Sequence, residues 1–207
     1  MTLLLLIRHA LTDHTGKRLY GRTPGVRLSE RGREQSRALA ERLREVPLDA
    51  LYTSPMDRCR ETASILLEGR RLRARTARDL NEVDYGEWTG RAFGALRRTK
   101  AWRMVRTHPA AVRFPGGETL SEVQVRAVRA LEEIAGRHPG ATVAVVSHGD
   151  VIRLSLAHYA GVHLDLFQRL DVSPASLTAL LVGDGGPRVV RVNDTGPLTD
   201  LPTEVGG

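Results

Sequence analysis

Two stretches of this chain are apolar without interruption and end in a histidine. They are Leu3-Leu4-Leu5-Leu6-Ile7 before Arg8-His9, and Val143-Ala144-Val145-Val146 before Ser147-His148. A short continuous apolar run is the pattern of a strand buried on both faces. In an open α/β sheet, ligands gather beyond the carboxyl ends of such strands. If both strands are parallel and central, both histidines emerge on one edge of the sheet. Arg58 follows Ser54-Pro55 by one turn and lies near the same edge, and Glu82 leads a turn-rich stretch that would fold over it. Each has an ordinary structural explanation when taken singly: Arg58 as a helix-surface partner of Glu61, Glu82 as a solvated loop acid, either histidine as a strand end held by one hydrogen bond. Together, two arginines and two histidines make a site for a tetrahedral dianion, with donors aimed at its oxygens. A neutral imidazole that neighbouring cations keep unprotonated is a competent nucleophile. A carboxylic acid on the far side can protonate the departing oxygen.

The elements that must position these residues alternate along the chain. The first apolar run reads as a strand, followed by a glycine-marked loop from Leu11 to Leu28 that is long for a compact domain. Ser29 precedes a helical pattern over Glu30–Val46 with Ala38, Leu39, Leu43 and Val46 on one face. Leu48–Thr53 reads as a second strand. Ser54 and Pro55 have the types of an N-cap and a first helical residue, which predicts a helix opening there and running to about Leu67. Arg71–Thr76 reads as a weaker strand. Residues 83–115 break the alternation and read as a lid, with an arginine-rich helical stretch over Ala92–Arg106. Thr119 and Glu122 form a capping-box signature before another helix. The second buried strand, Thr142–Ser147, leads to a helix over Asp150–Tyr159. Ala175–Val182 and Arg188–Val192 read as late strands joined by a glycine-rich turn, and the tail from 194 to 207 as loosely packed. The pattern predicts one α/β domain over 1–207, a three-layer α/β/α sandwich with a mostly parallel central sheet.

Composition narrows the partners. A chain of 207 residues with 41% hydrophobic and 27% charged residues suits a single globular domain. One cysteine excludes an internal disulfide framework, and no apolar run is long enough to cross a bilayer. The N-terminal run lacks a basic leader, so the expected location is cytoplasmic. The net charge of +7 is carried almost wholly by arginine, Lys17 and Lys100 being the only lysines. Nucleic acid is not the expected partner: aromatics make up only 4%, which leaves few stacking platforms, and the arginines are scattered among acids. Other phosphate chemistries fail on single positions. Leu11 stands where a Walker loop needs glycine, Ile65 where a Cys-x5-Arg phosphatase needs arginine, and Val145 where a Gly-x-Ser-x-Gly elbow needs glycine. His14, His108, His138, His158 and His163 show no metal-ligand spacing.

At these residues the chain resembles the histidine phosphatase superfamily, with its phosphoglycerate mutase-like fold. Arg8-His9-Ala10 is similar to the Arg-His-Gly signature at the end of the first strand, and Leu28-Ser29-Glu30-Arg31-Gly32 to the start of the first helix. Ser54-Pro55-Met56-Asp57-Arg58 with Glu61-Thr62-Ala63 resembles the second arginine motif. Leu80-Asn81-Glu82 with Tyr85 to Gly90 resembles the segment bearing the acid. Gly116-Gly117-Glu118-Thr119 and Ser147-His148-Gly149 complete the set in order. The resemblance implies transient phosphorylation of His9. It implies that Arg8, Arg58 and His148 hold the phosphoryl oxygens and that Glu82 later activates water. Neither metal nor cofactor is implied, because arginines take the charge-neutralising role that magnesium has elsewhere. Thr15 stands where many members carry an asparagine contacting phosphate. Gly21 and Arg22 are expected to border the substrate, and Gly149 to belong to the binding set. Ala10 departs from the usual glycine, so the backbone there must accept a methyl group.

The expected activity is hydrolysis of a small phosphate monoester through phosphohistidine on His9. The alternatives are a phosphomutase using the same intermediate and a noncatalytic phospho-ligand binder. Hydrolysis is favoured because the insertion is modest and the tail short, whereas a mutase must close its site against water. A binder gains nothing from a carboxylate near a dianion. The expected partners are a small phosphorylated substrate, no nucleic acid and no membrane, with a homodimer left open. Arg97, Arg98, Lys100, Arg103 and Arg106 could recognise a second anionic group, though most of this run reads as the solvated face of a helix.

Overall fold

The computed structural model describes residues 1–196. The central layer is a six-stranded sheet. Its strands are β1 (Thr2–Arg8), β2 (Ala50–Thr53), β3 (Ala74–Thr76), β4 (Thr142–Ser147), β5 (Leu177–Val182) and β6 (Arg188–Asp194), in the spatial order β3-β2-β4-β1-β5-β6. The first four in that order run parallel, whereas β5 pairs antiparallel with both β1 and β6. The late hairpin thus makes one side of the sheet antiparallel, as a short turn between adjacent strands requires.

Alternation along β1 builds both faces of the core, because successive side chains of a strand point to opposite sides. Leu3, Leu5 and Ile7 pack with Leu39 of α1 (Glu30–Arg42) and with Cys59, Ala63 and Leu66 of α2 (Asp57–Leu66). Leu4 and Leu6 pack on the other side, with Leu131 and Ile134 of one helix and Ile152 and Leu156 of another. Between α2 and that second pair lie the short α3 (Phe93–Leu96) and α4 (Lys100–Thr107); the pair itself is α5 (Leu120–Arg137) and α6 (Gly149–Tyr159). Burying a leucine or isoleucine side chain contributes about 1.5–3 kcal/mol, so the two-sided core around this strand dominates the fold's stability.

Caps decide several boundaries. The Ser29 side chain accepts from Gly32 N at the start of α1, and Thr119 with Glu122 closes the full capping box on α5. Ser54 does not cap α2. That helix begins at Asp57 behind Met56, which makes no side-chain cap, because the Ser54 hydroxyl is held by a buried histidine instead. The arginine-rich stretch is two helices rather than one: Thr99 has extended backbone and caps α4 by accepting from Trp102 N. Helix α1 also stops at Arg42, short of Val46.

Residues 83–115 carry a small core of their own. Val83, Tyr85, Trp88, Leu96, Val105 and Phe114 pack against Leu120 and Val123 of α5, Leu154 of α6, and Phe167. Asp194, placed in the loose tail by the sequence, is the last residue of β6. It is held there by Arg42 at 2.9 Å and by Arg191. The remainder of the expected tail, 197–207, lies outside the described residues. Among the described residues no helix is long and apolar enough to cross a membrane.

Candidate active site

Parallel pairing sets the centre of the site. Arg8 stands opposite Ser147 in the β1–β4 ladder, and His9 N donates to Ser147 O at 2.9 Å. The two histidines are therefore next neighbours across the strand ends, with ring centroids 5.3 Å apart. Thr53 of β2 pairs with Val146 of β4, which brings Ser54 to the same edge and starts α2 beside it. Arg58, one turn into α2, lies between the two imidazoles rather than on the helix surface. Glu61, its supposed surface partner, instead pairs with Arg33 at 2.9 Å.

Hydrogen bonding fixes the state of each ring. His9 Nδ1 lies 2.8 Å from the Ala10 carbonyl, which can only accept, so Nδ1 carries the hydrogen. Nε2 then presents a lone pair, and Arg58 Nε donates to it at 3.2 Å. Burial holds the His9 pKa well below the usual imidazole range, and the charges of Arg58 and Arg8 hold it lower still. Arg58 Nη2 donates to the Gly21 carbonyl at 2.8 Å and to His148 Nδ1 at 3.1 Å. His148 accepts at Nδ1, so its hydrogen is on Nε2 and donates to the Ser54 hydroxyl at 2.7 Å. Burial first, then the charge of Arg58, keeps this ring neutral too.

The two arginines also leave donors over. Arg8 gives Nη1 to the Val172 carbonyl at 2.6 Å, yet among the described residues its buried Nε has no partner, nor has the buried Nη1 of Arg58. A buried, unsatisfied guanidinium N–H is costly, and a bound anion would satisfy both. Gly149 brings α6 close to this spot: a Cβ there would lie 3.1 Å from Arg8 Nε, tight against the guanidinium. Ala10 is accommodated without strain. Its methyl group packs in the core beside α2, and its N–H donates to the Thr62 hydroxyl at 3.2 Å.

Glu82 faces the cluster from the loop after β3. Its Oε2 is 4.0 Å from Arg58 Nη2 and 3.6 Å from His148 Nδ1. Burial, and next the charge of Asp150, push its pKa up to about 7 despite the pull of Arg58 and Arg8. A carboxyl poised there can both give and take a proton near neutrality. Its loop is clamped through the main chain. Arg22 Nε and Arg126 Nη2 both donate to the Glu82 carbonyl, at 2.9 and 3.2 Å. Arg126 also takes the carbonyls of Asp79 and Asn81, at 2.6 and 2.8 Å. Glu118 ties the arginines together, accepting from both side chains and from Asp84 N, each at 2.9 Å at closest. Gly117 is required here, since a Cβ would sit 2.3 Å from the Asp84 carbonyl.

A cavity of about 620 Å³ opens from this cluster. Arg8, His9, Thr15, Gly21, Arg58, Glu82 and Gly149 all line it. Two predicted binding residues do not. Arg22 is occupied by Glu82, Glu118 and Asp84 and holds the acid loop instead of the substrate. His148 is fully buried behind Arg58, and in its neutral form offers no hydrogen at Nδ1 to a phosphoryl oxygen. Thr15 reaches the wall, though its hydroxyl already accepts from Thr12 N at 3.0 Å. Sequence reasoning missed Ser54, Arg126 and Glu118, and also Tyr85, whose hydroxyl donates to Asp150 at 2.8 Å on the cavity wall. Glu118, Ser54 and Tyr85 each lie within a motif named above and so carried a signal; Arg126 had none. Cys59 lies 3.5 Å from His148 Nε2, but burial pushes its thiol up to about 12, so it is inert as a nucleophile.

An α/β sandwich that brings a neutral histidine, two arginines with unmatched donors and a raised carboxyl to one sheet edge offers a site for a phosphate ester. Comparison with known proteins agrees. The profile of the histidine phosphatase superfamily (branch 1) matches residues 4–195, and the chain belongs to this family. It is 31% identical over 206 residues to phosphoserine phosphatase 1 of Hydrogenobacter thermophilus, covering 99% of this chain and 98% of that one. Phosphoglycerate mutase-like protein 4 of Arabidopsis thaliana is 32% identical across 72% of this chain and 67% of its own length. Among solved structures, YhfR of Bacillus stearothermophilus superposes with a TM-score of 0.89 at 31% identity, over 95% of this chain and 98% of that one. A mycobacterial glucosyl-3-phosphoglycerate phosphatase superposes with a TM-score of 0.83 at 26% identity, over 93% and 99% of the two chains. Phosphatases thus stand among its relatives, which supports an enzyme hydrolysing phosphate esters.

Proposed function

We propose that this protein is a phosphatase for small phosphate monoesters working through phosphohistidine on His9. One observation carries the reading: His9 lines the cavity together with Arg8 and Arg58, its hydrogen held on Nδ1 by Ala10 O and its Nε2 lone pair left beside Arg58 Nε at 3.2 Å. The phosphoryl oxygens take the free donors of Arg8 Nε and Arg58 Nη1. Nε2 attacks phosphorus, the bond to the ester oxygen breaks, and protonated Glu82 gives its proton to that oxygen. The resulting carboxylate then takes a proton from water as it attacks the phosphohistidine. Inorganic phosphate leaves and both residues return to their starting states. The arginines neutralise the transferred charge, so no metal is needed for it. His148 and Ser54 hold Arg58 in place, and a proton taken up at Nδ1 on anion binding would add a further donor to the phosphoryl group.

Relatives that act on phosphoserine and on glucosyl-3-phosphoglycerate support a small-ester substrate. Solvent-exposed residues form much of the cavity rim, which gives water access to the phosphoenzyme and favours hydrolysis over transfer to a second substrate. The test is a panel of phosphate monoesters assayed with and without chelator, together with trapping of an acid-labile, alkali-stable phosphoenzyme. Turnover unaffected by chelator, and label located on His9, are the expected results. Full activity in His9→Ala, or loss of activity on chelation, would overturn the mechanism. Isomerisation of a substrate without phosphate release would show a mutase.

A further inference from the structure

The stretch from Arg91 to Arg113 contains seven cations and no acid, and the rest of the chain has 24 cations against 24 acids. The whole net charge of +7 therefore sits on this lid. Charge gathered in this way beside a cavity draws in anions, and more strongly the more charge they bear. The lid's cations are not equivalent. Arg113 is spent on Glu122 at 2.5 Å. Arg98, Lys100 and Arg103 are exposed and form no part of the cavity wall. Arg97, at the end of α3, and Arg106, in the last turn of α4, do form part of it, and among the described residues neither has an acidic partner. Phe93 and Trp102 stand on the same wall, their rings meeting edge to face at 5.7 Å. The cavity, about 620 Å³, has the size of a small-molecule site, roughly 300–1,000 Å³, and Arg8, His9 and Arg58 supply only part of its wall.

We propose that the substrates are phosphate monoesters carrying a second anionic group at the end remote from the phosphate. Arg97 and Arg106 grip that group, and Phe93 and Trp102 cover the carbon skeleton between the two charges. The inference rests on the phosphatase reading and names its substrate class. The planar guanidinium suits a carboxylate and a second phosphate alike, so the two are separated by assay.

The experiment compares ω-phosphooxy carboxylates of three to six carbons with ω-hydroxyalkyl phosphates and terminal bisphosphates of the same lengths. The expected result is a kcat/KM about tenfold higher for one dianionic-ended series at its best length, a modest factor because both arginines are exposed. Added salt should erode that preference more than it slows the hydroxyalkyl esters. In the Arg97→Gln/Arg106→Gln protein the ratio should fall towards one while turnover of the hydroxyalkyl phosphates persists, which also shows that the variant is folded. The Arg98→Gln/Arg103→Gln protein should keep the wild-type ratio. Equal kcat/KM for all series in the wild type, or a preference that survives the first double substitution, would overturn the proposal. Calorimetric binding of the same esters to His9→Ala reads the preference without turnover. A wild type that hydrolyses none of them would sink the phosphatase reading alone, and equal affinities in the calorimetry would sink this one.

Discussion

Arginine does opposite work on the two sides of the cavity. Around the acid loop, Arg22 and Arg126 spend their donors on carbonyls and on Glu118, and what they provide is the fixed position of Glu82. On the lid, Arg97 and Arg106 reach the cavity with no acid among the described residues to hold them. Arg8 and Arg58 combine both conditions: Arg8 is anchored by Nη1 and Arg58 by Nε and Nη2, and each keeps another nitrogen buried and unmatched among the described residues. The difference teaches how to read a basic chain. A guanidinium with every donor placed is structural, whereas a donor lacking a partner at a cavity wall is where a ligand belongs.

The comparison can be broken first at its inner end. His9→Ala should lower kcat about 10⁴-fold or more and abolish the phosphoenzyme, since a lost nucleophile has no substitute. Single-turnover assays retaining a tenth of wild-type activity would place the nucleophile elsewhere. Next in size, Glu82→Gln should cost about 10²–10⁴-fold with alkyl esters, and far less in the first step with nitrophenyl phosphate, whose leaving group needs no proton. For the wild type, alkyl-ester cleavage should decline above a pH of about 7 as Glu82 ionises. The acid limit set by His9 should lie well below the usual imidazole range. The same group predicts a stability effect of known sign. Its pKa is raised on folding, so ionisation destabilises the native state as pH rises from the unfolded carboxyl value through about 7. Thermal melts should therefore show Glu82→Gln more stable than wild type at pH 8 and little changed at pH 4; the reverse order would refute the assignment.

The clamp should matter less to the rate and more to folding. Glu118→Ala leaves Arg126 mostly buried without its carboxylate, which should cost about 2–3 kcal/mol in denaturant titrations. It should also lower kcat roughly tenfold by loosening Glu82. The smallest effect belongs to the lid's outer face: Arg103→Gln should change stability by no more than about 0.5 kcal/mol, and leave kcat alone. A large loss there would erase the distinction between the lid's inner and outer cations.

Much of the architecture was readable because burial writes itself into strand composition. The runs before His9 and His148 are apolar on both faces, as central strands must be, and the boundaries of β4 and the capping box on α5 followed from residues in direct local contact. Positions failed where a distant partner competed. Ser54 has the chemistry of an N-cap, yet His148, 94 residues away, takes its hydroxyl. Arg22 stands in a loop that borders the cavity, yet three acceptors from other segments turn it to the acid loop. Asp194 looked like the start of a polar tail because its partner Arg42 lies on α1.

By itself the sequence determined the types of the reacting groups, their order along the chain and the sheet edge on which they gather, since those depend on composition and local pattern. Only the tertiary structure decided which protons they carry and which donors remain free. Ala10 O selects the tautomer of His9, and Arg58 that of His148. Burial and Asp150 bring Glu82 to about 7. The fold places two of the lid's cations on the cavity wall and the rest away from it. Each of these outcomes is an energy of desolvation or of a hydrogen bond between groups far apart in the chain, and such energies exist only once the chain has folded.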